Sequence, residues 1–221
     1  MIESLIKIIF PPKCIFCGTL LSPDSGLEIC GSCYDRIPFI SITHEKLLKT
    51  YGYLDDVICT CEYSGIIKES LIRYKFFDKS SYYRTFAQLL AQKVKKMTNY
   101  HEFDIITGVP LHKDREKKRG YNQSILISKI LGRETGIREK PNLLKRIRST
   151  NSQSLLSKDE RCLNVKGAFS VSDAAQLHDK SILLVDDVMT TGSTLEECAR
   201  VLKDSGARSV TAAVIASGRK F

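Results

Sequence analysis

The sequence contains no apolar run near the roughly 20 residues that a membrane-spanning helix requires, which excludes an integral membrane protein. The apolar residues near the start, Leu5-Ile6 and Ile8-Ile9-Phe10, are interrupted by Lys7 and closed by Pro11-Pro12. They are too few for a secretory signal and lack its small-residue cleavage site, so a cytoplasmic location is expected. No G-x4-G-K-[ST] loop occurs, so the chain is not itself an ATP-driven motor. No histidine accompanies Cys59, Cys61, Cys162 or Cys198 to activate a thiolate, and these four read as small packing residues. What is present is ample: 221 residues, 43% of them hydrophobic and clearly periodic, enough for a real core in one large or two small domains.

The formal net charge of +9 is unevenly spread. Residues 101–180 hold 16 Lys/Arg against 10 Asp/Glu, two-thirds of the whole excess. Such clustering suits a polyanionic partner or substrate, although a Lys-rich soluble surface fits the charge alone equally well.

Cys14, Cys17, Cys30 and Cys33 form C-x2-C-x12-C-x2-C. Each C-x2-C knuckle lets two thiolates converge on one metal, and two knuckles complete a tetrahedral site. Gly18 and Gly31 suit the tight turns involved. A four-thiolate site leaves no open position, so structural zinc is expected in a module spanning 1–50.

Residues 51–221 make the second unit. Asp56 to Tyr63 reads as a strand, and Ser64 to about Lys96 as helix with a break near Phe77-Asp78. Ile67, Leu71 and Tyr74 share one helical face, as do Phe86, Leu89, Leu90 and Val94. Beyond Tyr100, strands are expected at Asp104–Val109, Asn142–Ile147, Ile182–Val185 and Val210–Ala216, with helices at Tyr121–Arg133 and Thr194–Ser205. The alternation predicts an α/β fold, a parallel sheet flanked by helices, with the ligand site outside the carboxyl ends of the strands.

There the most informative segment lies. An apolar strand delivers Asp186 and Asp187, a loop of Thr190, Thr191 and Gly192 follows, and a helix begins at Ser193-Thr194. Leu195, Cys198, Ala199 and Leu202 form its apolar stripe, Gly206 can end it, and Ser193 with Glu196 reads as a capping box. Backbone N–H groups at such a helix start can cradle a phosphate dianion. The two carboxylates are placed to accept hydrogen bonds from vicinal ribose hydroxyls, so the segment describes a 5-phosphoribosyl site.

The run Asp186-Asp187-Val188-Met189-Thr190-Thr191-Gly192-Ser193-Thr194 resembles the PRPP-binding signature of type I phosphoribosyltransferases (PRPP is 5-phosphoribosyl 1-pyrophosphate). Gly108-Val109-Pro110-Leu111-His112, Arg115, and Arg119-Gly120-Tyr121-Asn122-Gln123-Ser124 narrow this to a resemblance to the ComF family of competence proteins. Arg146, Gln153-Ser154-Leu155, Arg161, Asn164-Val165 and Gly167-Ala168-Phe169 agree, as does the four-cysteine module. The resemblance implies a type I phosphoribosyltransferase-like fold with PRPP and magnesium as ligands, and Val109, Pro110 and Leu111 as the pyrophosphate loop. It implies a mobile loop near Ser149–Lys158, a role in natural transformation, and a helicase-like competence ATPase as partner, which could bring the protein to the inner face of the membrane.

Two functions stay open. One is handling of single-stranded DNA during uptake, where phosphates meet cations and bases stack on aromatics. Its candidate residues are Arg115, Lys117, Lys118, Arg119 and Tyr121, with Tyr74, Lys75, Phe76, Phe77 and Lys79. The other is an active phosphoribosyltransferase that moves phosphoribosyl from PRPP to an amine or nucleobase. No motif specifies the acceptor.

Overall fold

The computed structural model describes residues 10–40, 52–76, 82–96, 99–150 and 163–218. In chain order its elements are α1 (Gly31–Tyr34), β1 (Asp56–Glu62), α2 (Gly65–Phe76), α3 (Tyr83–Lys95), β2 (Ile105–Gly108), α4 (Lys113–Arg119) and α5 (Gln123–Thr135). Then follow β3 (Arg138–Glu139), β4 (Leu144–Arg146), β5 (Phe169–Val171), β6 (Ser181–Met189), α6 (Ser193–Asp204) and β7 (Ser209–Ser217). Five strands form a parallel sheet in the order β1-β7-β6-β2-β3.

The central strands are almost continuously apolar because both faces of the sheet are covered. Successive side chains alternate between two cores. Ile182, Leu184, Val210 and Ala212 pack with Leu195, Cys198 and Leu202 of α6. Leu183, Val185, Ala213 and Ile215 pack on the other face with α2, α3 and α5. That second core takes in the helical faces expected from the sequence: Ile67, Leu71, Tyr74, Phe86, Leu90 and Val94 are all 0% exposed. It also includes Ile15 and Ile37, which flank the cysteine quartet. Cys59, Cys61 and Cys198 are buried, and burial pushes the Cys59 thiol up to about 12. Cys162 lies outside the described residues.

Strand register is pinned by the same device twice. Asp55 accepts from Val210 N at 2.7 Å while its own N–H donates back to Val210 O. Asp104 accepts from Ser181 N at 2.8 Å while its N–H donates to Ser181 O. A lysine completes each, Lys203 on Asp55 and Lys180 on Asp104.

Two expectations are corrected. The sequence places Asn142–Ile147 in the parallel sheet, but Leu144–Arg146 pairs antiparallel with Phe169–Val171 in a separate ribbon. Only Leu143 and Leu144 are apolar before Lys145 and Arg146, too few for a strand covered on both faces, so the ribbon lies over α6 with one buried side. The Ser193/Glu196 capping box does not form either. The N-cap of α6 is Gly192, without a side-chain cap. The Glu196 carboxylate is engaged elsewhere, accepting from the backbone N–H of Gly52, Tyr53 and Leu54 at 2.6, 2.8 and 3.2 Å. Among the described residues no helix is long and apolar enough to cross a membrane.

The hydrogen bond from Ser181 N holds the Asp104 carboxyl below its usual range, outweighing partial burial. A depressed folded-state pKa stabilises above the unfolded value near 4, and that stability disappears as pH falls through the folded value. Asp104→Asn should therefore cost about 1–3 kcal/mol at pH 7, with the gap to the parent closing below about pH 4. Melting temperatures from pH 7 to pH 3 read this directly, and a gap independent of pH would refute it.

Candidate functional site

β6 continues to Met189, so Asp186 and Asp187 stand within the strand and not beyond its end. Asp186 is half-buried and Asp187 is 6% exposed. Asp186 Oδ1 accepts from Ser124 Oγ at 2.7 Å and from Asp187 N at 2.9 Å, which fixes its carboxylate against the start of α5. The turn after Met189 needs a left-handed residue, and Gly192 supplies it at φ +83°. Thr191 Oγ1 and Ser193 Oγ lie 2.9 Å apart in a hydrogen bond. Thr190–Thr194 thus wraps the positive end of a three-turn helix, a place suited to a phosphate.

β2 ends one strand away. Val109 N donates to Val185 O at 2.8 Å, and Asn122 Nδ2 donates to Val109 O at 3.1 Å. Asn122 also caps α5, which starts two residues later than the sequence suggests: its side chain accepts from Ser124 N and Ile125 N. The close approach depends on Gly108, where a Cβ would sit 2.8 Å from Ser124 C and 2.9 Å from Ile125 N.

The charged run after Leu111 is the helix α4, capped by His112 and ended by Gly120 at φ +78°. Arg115 and Arg119, one turn apart, face inward, whereas Lys117 and Lys118 are exposed. Arg146 of β4 joins the two arginines. Arg115 Nη2 donates to Thr150 O at 2.6 Å, and Arg146 Nη2 bonds the Thr150 hydroxyl. Burial, and then the charge of Arg115, holds the Arg146 guanidinium below its usual range.

One cavity of about 330 Å³ brings these pieces together. It is lined by Asp186 and Asp187, by Thr190, Thr191, Gly192, Ser193 and Thr194, by Val109, Pro110 and Leu111, and by Arg115 and Arg119. Lys117, Lys118 and Tyr121 do not line it. Ser124, Gln123 and Arg146 do, and sequence reasoning does not single them out as site residues. A polar pair directly after the Asn122 cap is the signal available for Gln123 and Ser124.

Two of the aromatic candidates for base stacking, Tyr74 and Tyr121, are engaged with each other. Tyr74 is 0% exposed and stacks on Tyr121 with ring centroids 6.0 Å apart. The Tyr121 hydroxyl donates to Tyr74 O at 2.5 Å. Tyr74 is thereby corrected as a surface contact: its hydroxyl, bound to Gln123 O, serves the packing of α2 on α5. Phe77, Lys79 and residues 151–158 of the expected mobile loop lie outside the described residues, and Lys75 and Phe76 contribute backbone only to the described end of α2.

The four cysteines converge, all their Sγ atoms lying within 4.8 Å of one another. Cys17 and Cys30 Sγ are 3.7 Å apart, close to the roughly 3.8 Å edge of a tetrahedron with 2.3 Å metal–sulfur bonds. Gly18 makes the first knuckle turn at φ +79°, while Gly31 opens the short helix α1. Hydrogen bonds from Thr19 bring the exposed Cys17 thiol down to about 6, and burial pushes Cys33 up to about 12. The set could hold a metal ion.

A family model described as "Phosphoribosyl transferase domain" matches residues 84–220. Competence protein F of Haemophilus influenzae is 31% identical over 214 residues, covering 90% of this chain and 93% of its own. DNA utilization protein YhgH of Salmonella typhimurium is 34% identical over 188 residues, covering 83% and 82% respectively. Competence protein ComFC of Bacillus subtilis is 32% identical over 205 residues, covering 92% and 77%.

Because the start of α5 rests directly on Gly108, Gly108→Ala should displace Ser124 from Asp186. Overpacking of this kind costs about 1–3 kcal/mol, or several degrees of melting temperature in a chain of this size. A melt indistinguishable from the parent would show that the contact is slack.

Proposed function

The chain belongs to the ComF family of competence and DNA-utilization proteins and carries a type I phosphoribosyltransferase-like domain, and from that premise we propose that it handles single-stranded DNA during uptake while its cavity binds PRPP or a related phosphoribosyl ligand. The observation that carries the ligand reading is the meeting of Asp186 and Asp187 with the Thr190–Thr194 turn in one cavity. The acids would accept from the ribose hydroxyls, and the turn would hold the 5′-phosphate against the start of α6. Val109, Pro110 and Leu111 would receive the pyrophosphate, with Arg115 and Arg119 supplying cation density. Magnesium would enter with PRPP beside the two carboxylates and neutralise pyrophosphate charge. Cys14, Cys17, Cys30 and Cys33 would hold structural zinc in a module of residues 1–50, with 51–221 as the phosphoribosyltransferase-like unit.

For DNA, support comes from cations outside the cavity. Lys117 and Lys118 are exposed on α4, and Lys145, Arg148 and Lys166 are exposed on and beside the β4–β5 ribbon. With Tyr74 and Tyr121 committed to each other, binding along α4 would be led by phosphates. Energy for translocation would come from a helicase-like competence ATPase, acting with this protein in the cytoplasm or at the inner face of the membrane. A second reading, transfer of phosphoribosyl to an amine or nucleobase with release of pyrophosphate, draws on the same pairing of acids and cations.

Two experiments test this. PRPP with magnesium should raise the melting temperature of the parent protein. The double variant Asp186→Ala/Asp187→Ala should lose that shift while keeping about one zinc per chain. An undiminished shift would remove the acids from the site. Labelled single-stranded DNA should bind with strong salt dependence, and Lys117→Ala/Lys118→Ala should flatten the slope by roughly 0.7 for each DNA phosphate that the variant no longer neutralises. An unaltered slope would move the DNA track off α4.

A further inference from the structure

Among the described residues, Leu163 at 72% and Ile147 at 62% are two of the three most exposed large apolar side chains. One small piece of surface carries both. Leu144 and Arg146 of β4 turn inward, the first buried and the second over the Phe169 ring at 5.2 Å and lining the cavity. Alternation sends Lys145 and Ile147 outward, and the pairing continues past β4, because Ile147 N donates to Ala168 O at 2.9 Å. Arg148 Nη2 then donates to Asn164 O and Lys166 O at 3.0 and 2.7 Å, which keeps the segment bearing Leu163 beside the end of the strand. Lys145, Arg148 and Lys166 are exposed on the same segments. Residues 142–148 and 163–172 contain no Asp or Glu. Glu197, which reaches Gly167 N from α6, is paired with Arg200.

We infer that this outward face of the ribbon is where the unpaired bases of a single DNA strand rest, Ile147 and Leu163 meeting the bases while Lys145, Arg148 and Lys166 meet the phosphates. The inference rests on the DNA reading given above. It supplies what α4 lacks, since Tyr74 and Tyr121 are committed to each other there. Isolated exposed apolar residues need no explanation, but two held together among cations, without an acid, form a mixed surface. A single strand presents the complementary mixture, apolar base faces beside a chain of anions. A duplex does not, because stacking hides those faces within the helix. A membrane fits less well. Interfacial attachment takes the wide apolar face of an amphipathic helix, and two side chains fall short of one.

The test measures binding by the full chain of a labelled oligothymidylate, the same strand annealed to its complement, and an abasic strand of equal length. The oligothymidylate should bind tightest. Ile147→Ala and Leu163→Ala should each weaken it about fivefold, as for apolar area lost from an interface, with abasic-strand affinity and the salt slope unchanged. Lys145→Ala/Lys166→Ala should instead weaken the thymidylate and the abasic strand alike and flatten the slope by roughly 0.7 for each phosphate released. Both apolar positions are exposed, so their variants should melt with the parent; should one not, Ile147→Gln or Leu163→Gln carries the same expectation. Equal loss on the abasic strand, or no loss at all, would overturn the base contacts while leaving DNA binding intact. So would a preference for the duplex. Binding to phosphatidylglycerol vesicles that the two apolar substitutions abolish, with thymidylate affinity unaltered, would assign the face to a membrane and overturn them too. A parent that binds none of the three strands would remove the DNA reading itself.

Discussion

The parallel pairing of β6 with β2 is the constraint on which the site depends. Val109 N meets Val185 O, Ile105 to Gly108 run beside Ile182 to Val185, and the two carboxyl ends finish together. From that shared edge come both halves of the cavity, the acids and hydroxyl turn from one strand and the Val109 loop from the other. The first turn of α5 then closes against both, because Gly108 has no side chain and Ser124 reaches Asp186. A slip of one residue would exchange the side chains that face the two cores along β6. It would send the carboxylates to the wrong faces and part Asp186 from Ser124. The aspartates at the strand entries, far from the cavity, thus help determine where its acids stand.

Charge divides the cavity into two chemistries. On β6 the charged side chains that line it are carboxylates, which accept hydrogen bonds when ionised. On α4, α5 and β4 the reverse holds: guanidiniums and an amide crowd together with few acceptors. Electrostatic repulsion among these cations opposes folding, and an arriving anion relieves it. An anion held there would couple to fold stability through the same groups, which favours thermal shift as a readout for this protein.

Much of this is legible from sequence where local pattern and tertiary demand agree. The apolar run Ile182–Val185, the hydroxyl turn and the α6 stripe each point to one structure. The cysteine spacing brings four thiols together as expected. Legibility fails where a residue's partner lies far along the chain. Glu196 sits where a capping box would use it, yet the backbone of Gly52, 144 residues earlier, claims it. Leu144–Arg146 reads as a strand and is one, but its partner is β5 and not the sheet. Tyr74 reads in sequence both as part of a helical apolar face and as a DNA contact, and Arg146 is not singled out as a site residue; only packing shows that one supports α5 and the other lines the cavity.

Glu196 and its neighbour Glu197 reach in different directions from α6. The first grips the chain entering β1; the second accepts from Gly167 N at 2.7 Å, beside the β4–β5 ribbon, and pairs with Arg200. The helix behaves mechanically as a beam clamped near its loaded end, with one clamp on the sheet's edge and one on the ribbon. A push on the Thr190–Thr194 turn is therefore not absorbed by tilting α6. It meets both anchorages, so the chain entering β1 and the segment beside the ribbon are joined to that turn through α6.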